Sequence, residues 1–380
     1  MTSSHSSSIN GDRKIRYAVV GLGWFAQEAA MPAFAEAENS ELVALVSDDS
    51  TKLKELSQKY GINHTYSYEE YEDCLTSGEV DAVYIALPNH RHCEYTVRAA
   101  KQAIHVLCEK PMAVTEDECE QMIQACNDND VKLAIAYRLH LEPANMQAVE
   151  IVRSGKIGEP RIFNSVFTQQ VTEEGNIRLR DVTGGGTLDD IGIYCINAAR
   201  YLFQDEPIEV YAAAANKGEQ RFAEVEEMSS AILRFPDERL ATFTVSFGAA
   251  KVSTYQIVGT QGDLRVDPAY AWHGELKHYL TIDGETQEQS FPPHSQLAAE
   301  FIYFSDCILN NTDPEPSGME GLNDVRIIRA LYQSIEQGQP VPLEPLDYHQ
   351  RPTKDNAIQR PANPERPDLV NAASPGGSKL

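Results

Sequence analysis

At 380 residues, with 42% hydrophobic and 23% charged side chains, the chain has the balance of a globular protein and more length than one ordinary domain, which excludes a fibrous or disordered molecule. A formal charge of -25 repels nucleic-acid phosphates and anionic membrane surfaces, so neither is an expected partner. Residues 1–14 lack the apolar core of a secretory signal and no later stretch is long enough to span a bilayer, so a disordered N-terminus and a cytoplasmic protein are expected.

From Ile15 the chain alternates β-rich runs with amphipathic stretches: IRYAVV, ELVALV, DAVYIAL, HVLCE and KLAIAY. Strands this continuously apolar, separated by helix-length spacers, predict a doubly wound α/β domain with a parallel sheet over residues 15–138. Beyond Ser154–Pro160 the pattern changes to RIFNSVFTQ, PIEVYAAAA, MSSAILRF, LATFTVSF, TYQIVGT and DLRVD with turns between them. This predicts a second, α+β domain over 139–345 with a mainly antiparallel sheet. Helical spacing of Leu188, Ile191, Ile196, Ala199 and Leu202 places one helix over Thr187–Phe203, and two more are expected at Gln296–Leu309 and Gly321–Glu336. Residues 346–380, rich in Pro, Asn and Gly, are expected to be a mobile tail. The seven cysteines form no C-x-x-C pair and sit in apolar stretches, as reduced core thiols would.

Gly21-Leu22-Gly23-Trp24-Phe25-Ala26 directly follows the first strand and opens a helical stretch, the context in which G-x-G-x-x-G/A binds a dinucleotide. Gly21 permits the tight turn, Gly23 lets the backbone approach a pyrophosphate, and Ala26 allows close helix packing. Gly21, Gly23, Trp24, Phe25 and Ala26 are therefore candidate cofactor contacts; the alternative is a glycine-rich turn with no ligand. After the second strand, Asp48 could accept from a ribose 2′-hydroxyl and favour NAD, whereas Ser47 and Lys52 could bind a 2′-phosphate and favour NADP. Helix capping is the competing role for Asp48 and Asp49. Pro88, Asn89 and His92 follow DAVYIAL at the carboxyl edge of the sheet, where ligands bind in open α/β folds, and Asn89 has helix capping as its alternative. Glu109 and Lys110 end HVLC, and Tyr137 and Arg138 end KLAIAY, at the same edge. Lys110 should point into the crevice beside a nicotinamide; a solvated charge is the other possibility, and Arg138 could contact cofactor or only pack.

A flexible triple glycine, Gly184-Gly185-Gly186, opens the helix that carries Asp190 and Tyr194 one turn apart, so carboxylate and phenol can converge on one site, with Asn197 near that face. A phenol, with a usual pKa near 10, serves as a general base near neutrality only beside a cation, and Lys110 is the candidate. The alternative makes Tyr194 a packing residue and Asp190 a cap. The candidate substrate contacts are Lys110, Asp190, Tyr194 and Asn197. No metal is expected: His90 and His92 sit two apart, and no H-E-x-x-H spacing occurs.

Together GLGWFA, PNHRH, the EKP triplet, AYRLHLEP and GGGTLDDIGIYCIN, in this order and spacing, resemble the Gfo/Idh/MocA oxidoreductases over Ile15 to Glu336. The resemblance is greatest to the glucose-fructose oxidoreductase branch with its aldose and xylose dehydrogenases. It implies a Rossmann domain followed by an α/β domain with a large open sheet whose exposed face forms a homodimer or homotetramer. Lys110 matches the catalytic lysine of the EKP triplet, and Asp190 and Tyr194 match the aspartate and the acid–base position, tyrosine in this branch and histidine in the inositol dehydrogenase branch. Ser47 to Lys52 resembles the serine and lysine with which the branch holds NADP, the preferred cofactor here, while Asp48 stands where relatives often carry a small residue and keeps NAD open. The absence of a long N-terminal arm before Ile15 implies a freely exchanging cofactor. The implied reaction is hydride transfer between aldose C1 and the nicotinamide, giving a lactone. The alternatives are a reductase of keto- or anhydro-sugars and a non-catalytic NAD(P)- or sugar-sensing regulator; intact Lys110, Asp190 and Tyr194 argue against the latter.

Overall fold

A computed structural model describes residues 13–173, 175–344, 346, 350–362 and 366–376; apart from residues 13 and 14, the N-terminus expected to be disordered lies outside them. The first sheet contains β1 (Ile15–Val20), β2 (Ser40–Val46), β3 (His64–Tyr66), β4 (Ala82–Ile85), β5 (His105–Cys108) and β6 (Leu133–Ile135) in the order β3-β2-β1-β4-β5-β6. All of its pairs are parallel. β1 and β4 are almost wholly buried, which is why these strands read as unbroken apolar runs rather than alternating ones. The order reverses between β1 and β4, and the crevice beyond their carboxyl ends is where such a sheet binds ligands.

The second sheet has nine strands: β7 (Pro160–Thr168), β8 (Glu209–Ala215), β9 (Met228–Phe235), β10 (Arg239–Ser246), β11 (Val252–Gly259), β12 (Gly262–Val266), β13 (Leu276–Ile282), β14 (Glu285–Phe291) and β15 (Val341–Pro342). Its order is β14-β13-β12-β11-β7-β10-β9-β8-β15. Every described pair is antiparallel except β7 with β10, so the sheet is mixed and mainly antiparallel, as expected. Strict alternation sets its two faces. Phe163, Ala241, Leu233 and Ala212 are buried in the core, while their neighbours Ile162, Leu240, Ile232 and Tyr211 are exposed.

The helix expected over Thr187–Phe203 begins with a π-helical turn, Leu188–Gly192, and continues as Ile193–Phe203. The two later helices run Gln296–Asn310 and Gly318–Gln337. The segment expected to be a tail carries little regular structure of its own, but its described residues bond to the body. Ile358 N–H donates to Leu141 O at 3.0 Å and Ser295 N–H to Arg360 O at 2.9 Å. Among the described residues no helix is long and apolar enough to cross a membrane.

Candidate active site

The loops at the carboxyl ends of β1, β4 and β5, the start of the Leu188–Gly192 turn and loops of the second domain enclose a cleft of about 440 Å³. Gly21 itself is not part of the lining; it has φ +95°, and a Cβ there would lie 2.6 Å from Ala86 O, so the turn after β1 accepts only glycine. A Cβ at Gly23 would meet nothing within 4 Å, because this side of the turn opens onto the cleft lined by Gly23, Trp24, Phe25 and Ala26. The helix that follows presents unpaired N–H groups there, and Lys52 adds a cation to the same wall. A pyrophosphate-bridged nucleotide fits these residues. Trp24 and Phe25 also pack edge-on against Trp272 of the second domain, with centroids 5.9 and 5.6 Å apart.

The two aspartates after β2 are occupied by backbone groups. Asp49 caps the helix Ser50–Tyr60, accepting from Thr51 N and Lys52 N at 3.0 Å each, and Asp48 accepts from Tyr68 N at 2.8 Å. Neither Asp48 nor Ser47 lines the cleft, and the Ser47 hydroxyl accepts from Asp49 N at 3.2 Å; Lys52 alone of the expected 2′-reading residues reaches it. For Asp49 this is the capping alternative, realised because a strand-to-helix junction leaves N–H groups that a short carboxylate satisfies first; Asp48 caps no helix but braces the loop after β3.

Pro88 also stays out of the lining, but Asn89 and His92 are part of it. Asn89 caps no helix; its amide donates to Gly184 O of the second domain at 2.7 Å. His92 is fully buried, with Nε2 2.8 Å from Leu87 O and Nδ1 2.9 Å from Pro111 O. It ties the end of β4 to the segment after Lys110, and burial, opposed by these carbonyls, pushes its pKa below the usual histidine value. The Glu109 carboxylate accepts from Tyr84 OH at 2.5 Å and Lys110 N at 3.3 Å. Burial raises its pKa despite the Tyr84 bond and the Lys110 charge.

Lys110, Asp190 and Tyr194 meet across the domain boundary. Lys110 Nζ donates to Asp190 O at 2.7 Å, pairs with Asp190 Oδ1 at 3.5 Å and lies 4.8 Å from the Tyr194 ring centroid. The Arg138 guanidinium lies 5.0 Å from the same ring and donates to Tyr270 O at 2.7 Å and to Gln296. Among the described residues nothing in the protein hydrogen-bonds the Tyr194 hydroxyl. Asp190 Oδ2 accepts from Arg178 Nε at 2.7 Å and Gln169 Nε2 at 3.3 Å. Burial would raise the Asp190 pKa, but Arg178 and then Lys110 outweigh it and hold the carboxyl below the usual aspartate value. The glycines leading into this helix are not slack: a Cβ on Gly184, at φ +75°, would come within 2.8 Å of Val114 and 2.9 Å of Asn89.

Asn197 does not reach the cleft. Its oxygen meets His140 Nε2 at 2.7 Å, and its amide donates to Glu320 at 2.8 Å and Asp324 at 3.1 Å. Asn197 lies nearly one turn further along the helix than Tyr194, where buried His140, Glu320 and Asp324 take all its bonds beside buried Arg200. Reading the sequence also missed Arg178, Gln169, Phe167, Tyr270 and Trp272, all of which line the cleft; only the charged run preceding the triple glycine hinted at Arg178.

Residues 15–137 match the model described as oxidoreductase family, NAD-binding Rossmann fold, and residues 145–265 match the GFO/IDH/MocA C-terminal domain. The chain is 35% identical over 340 residues to the D-xylose 1-dehydrogenase [NADP(+)] of Haloarcula marismortui, covering 88% of this chain and 94% of that protein. The chain belongs to the Gfo/Idh/MocA family. It is an NAD(P)-dependent oxidoreductase, as its motifs implied. The crystal structure of aldose-aldose oxidoreductase from Caulobacter crescentus complexed with glycerol superposes on this Gfo/Idh/MocA protein with a TM-score of 0.84 at 38% identity, covering 87% of this chain and all of that one. A 3-ketoreductase from Actinomadura kijaniata in complex with NADP and TDP-benzene gives 0.78 at 25% identity, covering 85% and 98%.

Proposed function

We propose that this Gfo/Idh/MocA protein oxidises the anomeric carbon of an aldose to a lactone with NADP, using Lys110 and Tyr194 as its acid–base pair. The observation that carries the reading is the convergence of Lys110, Asp190 and Tyr194 in one cleft with the Gly21–Ala26 turn. Gly23, Lys52 and Asn89 would hold the nucleotide, with the aspartates after β2 already engaged in backbone bonds. When bound, the nicotinamide supplies the acceptor for the C1 hydride. The Tyr194 oxygen, free of protein partners among the described residues, takes the proton of the C1 hydroxyl when it is in the phenolate form, and the Lys110 ammonium stabilises the oxygen from which the proton leaves. Asp190, kept ionised by Arg178, fixes Lys110 and offers an acceptor to a neighbouring sugar hydroxyl. Gln169, Asn176 and Arg178 give the second-domain wall further groups suited to a polyol.

The kinship to D-xylose 1-dehydrogenase [NADP(+)] and aldose-aldose oxidoreductase supports an aldose, and that to a 3-ketoreductase keeps carbonyl reduction within the same chemistry. The exposed apolar row Ile162, Leu240, Ile232 and Tyr211 supports a homo-oligomer formed through the open sheet face. Seven buried, unpaired thiols support a reducing, cytoplasmic setting. A panel of aldoses, assayed with NADP and NAD in both directions by nicotinamide absorbance, tests the function. Oxidation of a pentose or hexose with lactone as product is expected; reduction of keto-sugars alone would reverse the assigned direction, and silence across the panel would end the reading.

A further inference from the structure

One stretch of the cleft wall comes from the C-terminal segment rather than from the body of either domain. Asn371, Ala372, Ala373 and Pro375 line the same cleft as the Gly23–Ala26 turn. On the dinucleotide-binding side the anchor is Gln27, only 1% exposed. Its amide donates to Leu22 O within the turn and to Val370 O, both at 2.9 Å, while its oxygen accepts from Val370 N at 2.8 Å. Both N–H donors and the carbonyl are thus engaged, so one side chain holds the glycine turn and the tail in a single arrangement. Lys59 Nζ donates to Asp368 O at 3.2 Å, Asn371 Nδ2 donates to Asp49 Oδ2 at 3.1 Å, and the Val370 side chain packs on the core beneath the turn. On the substrate side Pro375 O accepts from Thr172 N at 3.0 Å and Glu173 N at 3.4 Å. The segment therefore crosses the cleft from one domain to the other, with methyl-sized side chains at the crossing.

We propose that Asp368–Pro375 forms the outer wall of the dinucleotide site, enclosing bound NADP(H) between itself and the glycine turn, so that the nucleotide exchanges only when the tail lifts. The inference rests on the dinucleotide reading above and adds to it residues that hold the cofactor. Lifting the wall breaks the bonds at Val370, Asn371 and Pro375 and exposes Val370. Exchange is then slower than for an open groove, in place of the free exchange expected from the sequence.

The test is stopped-flow release of NADPH from the full-length protein into excess NADP, read by nicotinamide fluorescence, with thermal melting as a check on the fold. Val370→Asp places a carboxylate against the apolar core and expels the tail, whereas the double variant Lys59→Ala/Asn371→Ala removes two surface anchors with little risk to folding. Release is expected to accelerate on the order of tenfold in the double variant, the loss of one to two hydrogen bonds, and more in Val370→Asp. Equal release rates in the wild type and the double variant overturn the wall while leaving the dinucleotide reading intact. Failure of the wild type to bind either form of the nucleotide overturns the dinucleotide reading, and the wall with it.

Discussion

The Lys110 ammonium stands 4.8 Å from the centroid of the Tyr194 ring, although one residue ends a strand of the first domain and the other begins a helix of the second. Lys110 also bonds the main-chain oxygen of Asp190, so it is held by the element that carries the phenol, and the proposed acid–base pair exists only while the domains are docked. Lys110→Met keeps the length of the side chain and removes its charge. It should lower kcat by on the order of a thousandfold while NADP affinity is retained, since proton-transfer groups typically contribute two to four powers of ten. Tyr194→Phe should lose kcat to a similar degree. Substantial turnover in either variant, measured with saturating sugar, would remove that residue from the acid–base role.

Arg178 is the strongest influence keeping the partly buried Asp190 carboxyl below its usual pKa. In Arg178→Ala burial remains and that charge is gone, so the carboxyl rises; because the ionised form is the one that positions Lys110, the acid limb of kcat/KM should move to higher pH. Arg178→Lys, which restores a charge without the guanidinium geometry, should bring the limb part of the way back. A pH–rate profile unchanged in Arg178→Ala would show that Asp190 ionisation does not matter to turnover.

The elements built on apolar periodicity were legible in the sequence, and so were the motifs confined to one local turn. The strands IRYAVV and MSSAILRF run as Ile15–Val20 and Met228–Phe235, and the glycine turn stands where β1 ends. β14, sequence ETQEQSF, escaped notice because six of its seven residues are exposed; a strand wet on both faces carries no alternation to read. Arg178 and Gln169 join Asp190 from loops at no fixed spacing, so only the docked domains reveal them. Asn197 was misplaced because helical proximity was counted along the chain, and the buried charges of Glu320, Asp324 and Arg200 that capture it come from distant sequence. The tail was read from composition alone, which reports the absence of a core but not the backbone bonds to Gln27 and Thr172.

Asp189, next to Asp190, points the other way, accepting from Arg329 at 2.6 Å. Burial pushes its pKa up to about 6, against the pull of Arg329. Between an unfolded value near 4 and that folded value, the native state binds more protons than the unfolded chain. Its contribution to stability is therefore fully present below about pH 4 and is lost as pH rises toward 6, up to about 3 kcal/mol in all for a shift of this size. Asp189→Asn cannot titrate, so urea denaturation across pH 4 to 7 should show a smaller fall in stability with rising pH than the wild type. Parallel curves for the two proteins would refute the assignment.

The outward face of the second sheet presents Ile162, Leu240, Ile232 and Tyr211 on adjacent strands, each between 38% and 44% exposed. Leu240 sits opposite Ile162 on β7 and Ile232 lies one step away on β9, so the four form one apolar band rather than scattered residues. In the homo-oligomer proposed through this face, a two-fold axis would place the same patch on both partners. Ile232→Glu with Leu240→Glu puts four carboxylates into that contact across a dimer. Because these side chains are solvent-facing within one chain, the fold of each subunit should survive. Light scattering on the eluted peak should report more than one chain for the wild type and a single chain for the double variant. An unchanged mass would place the interface on another surface.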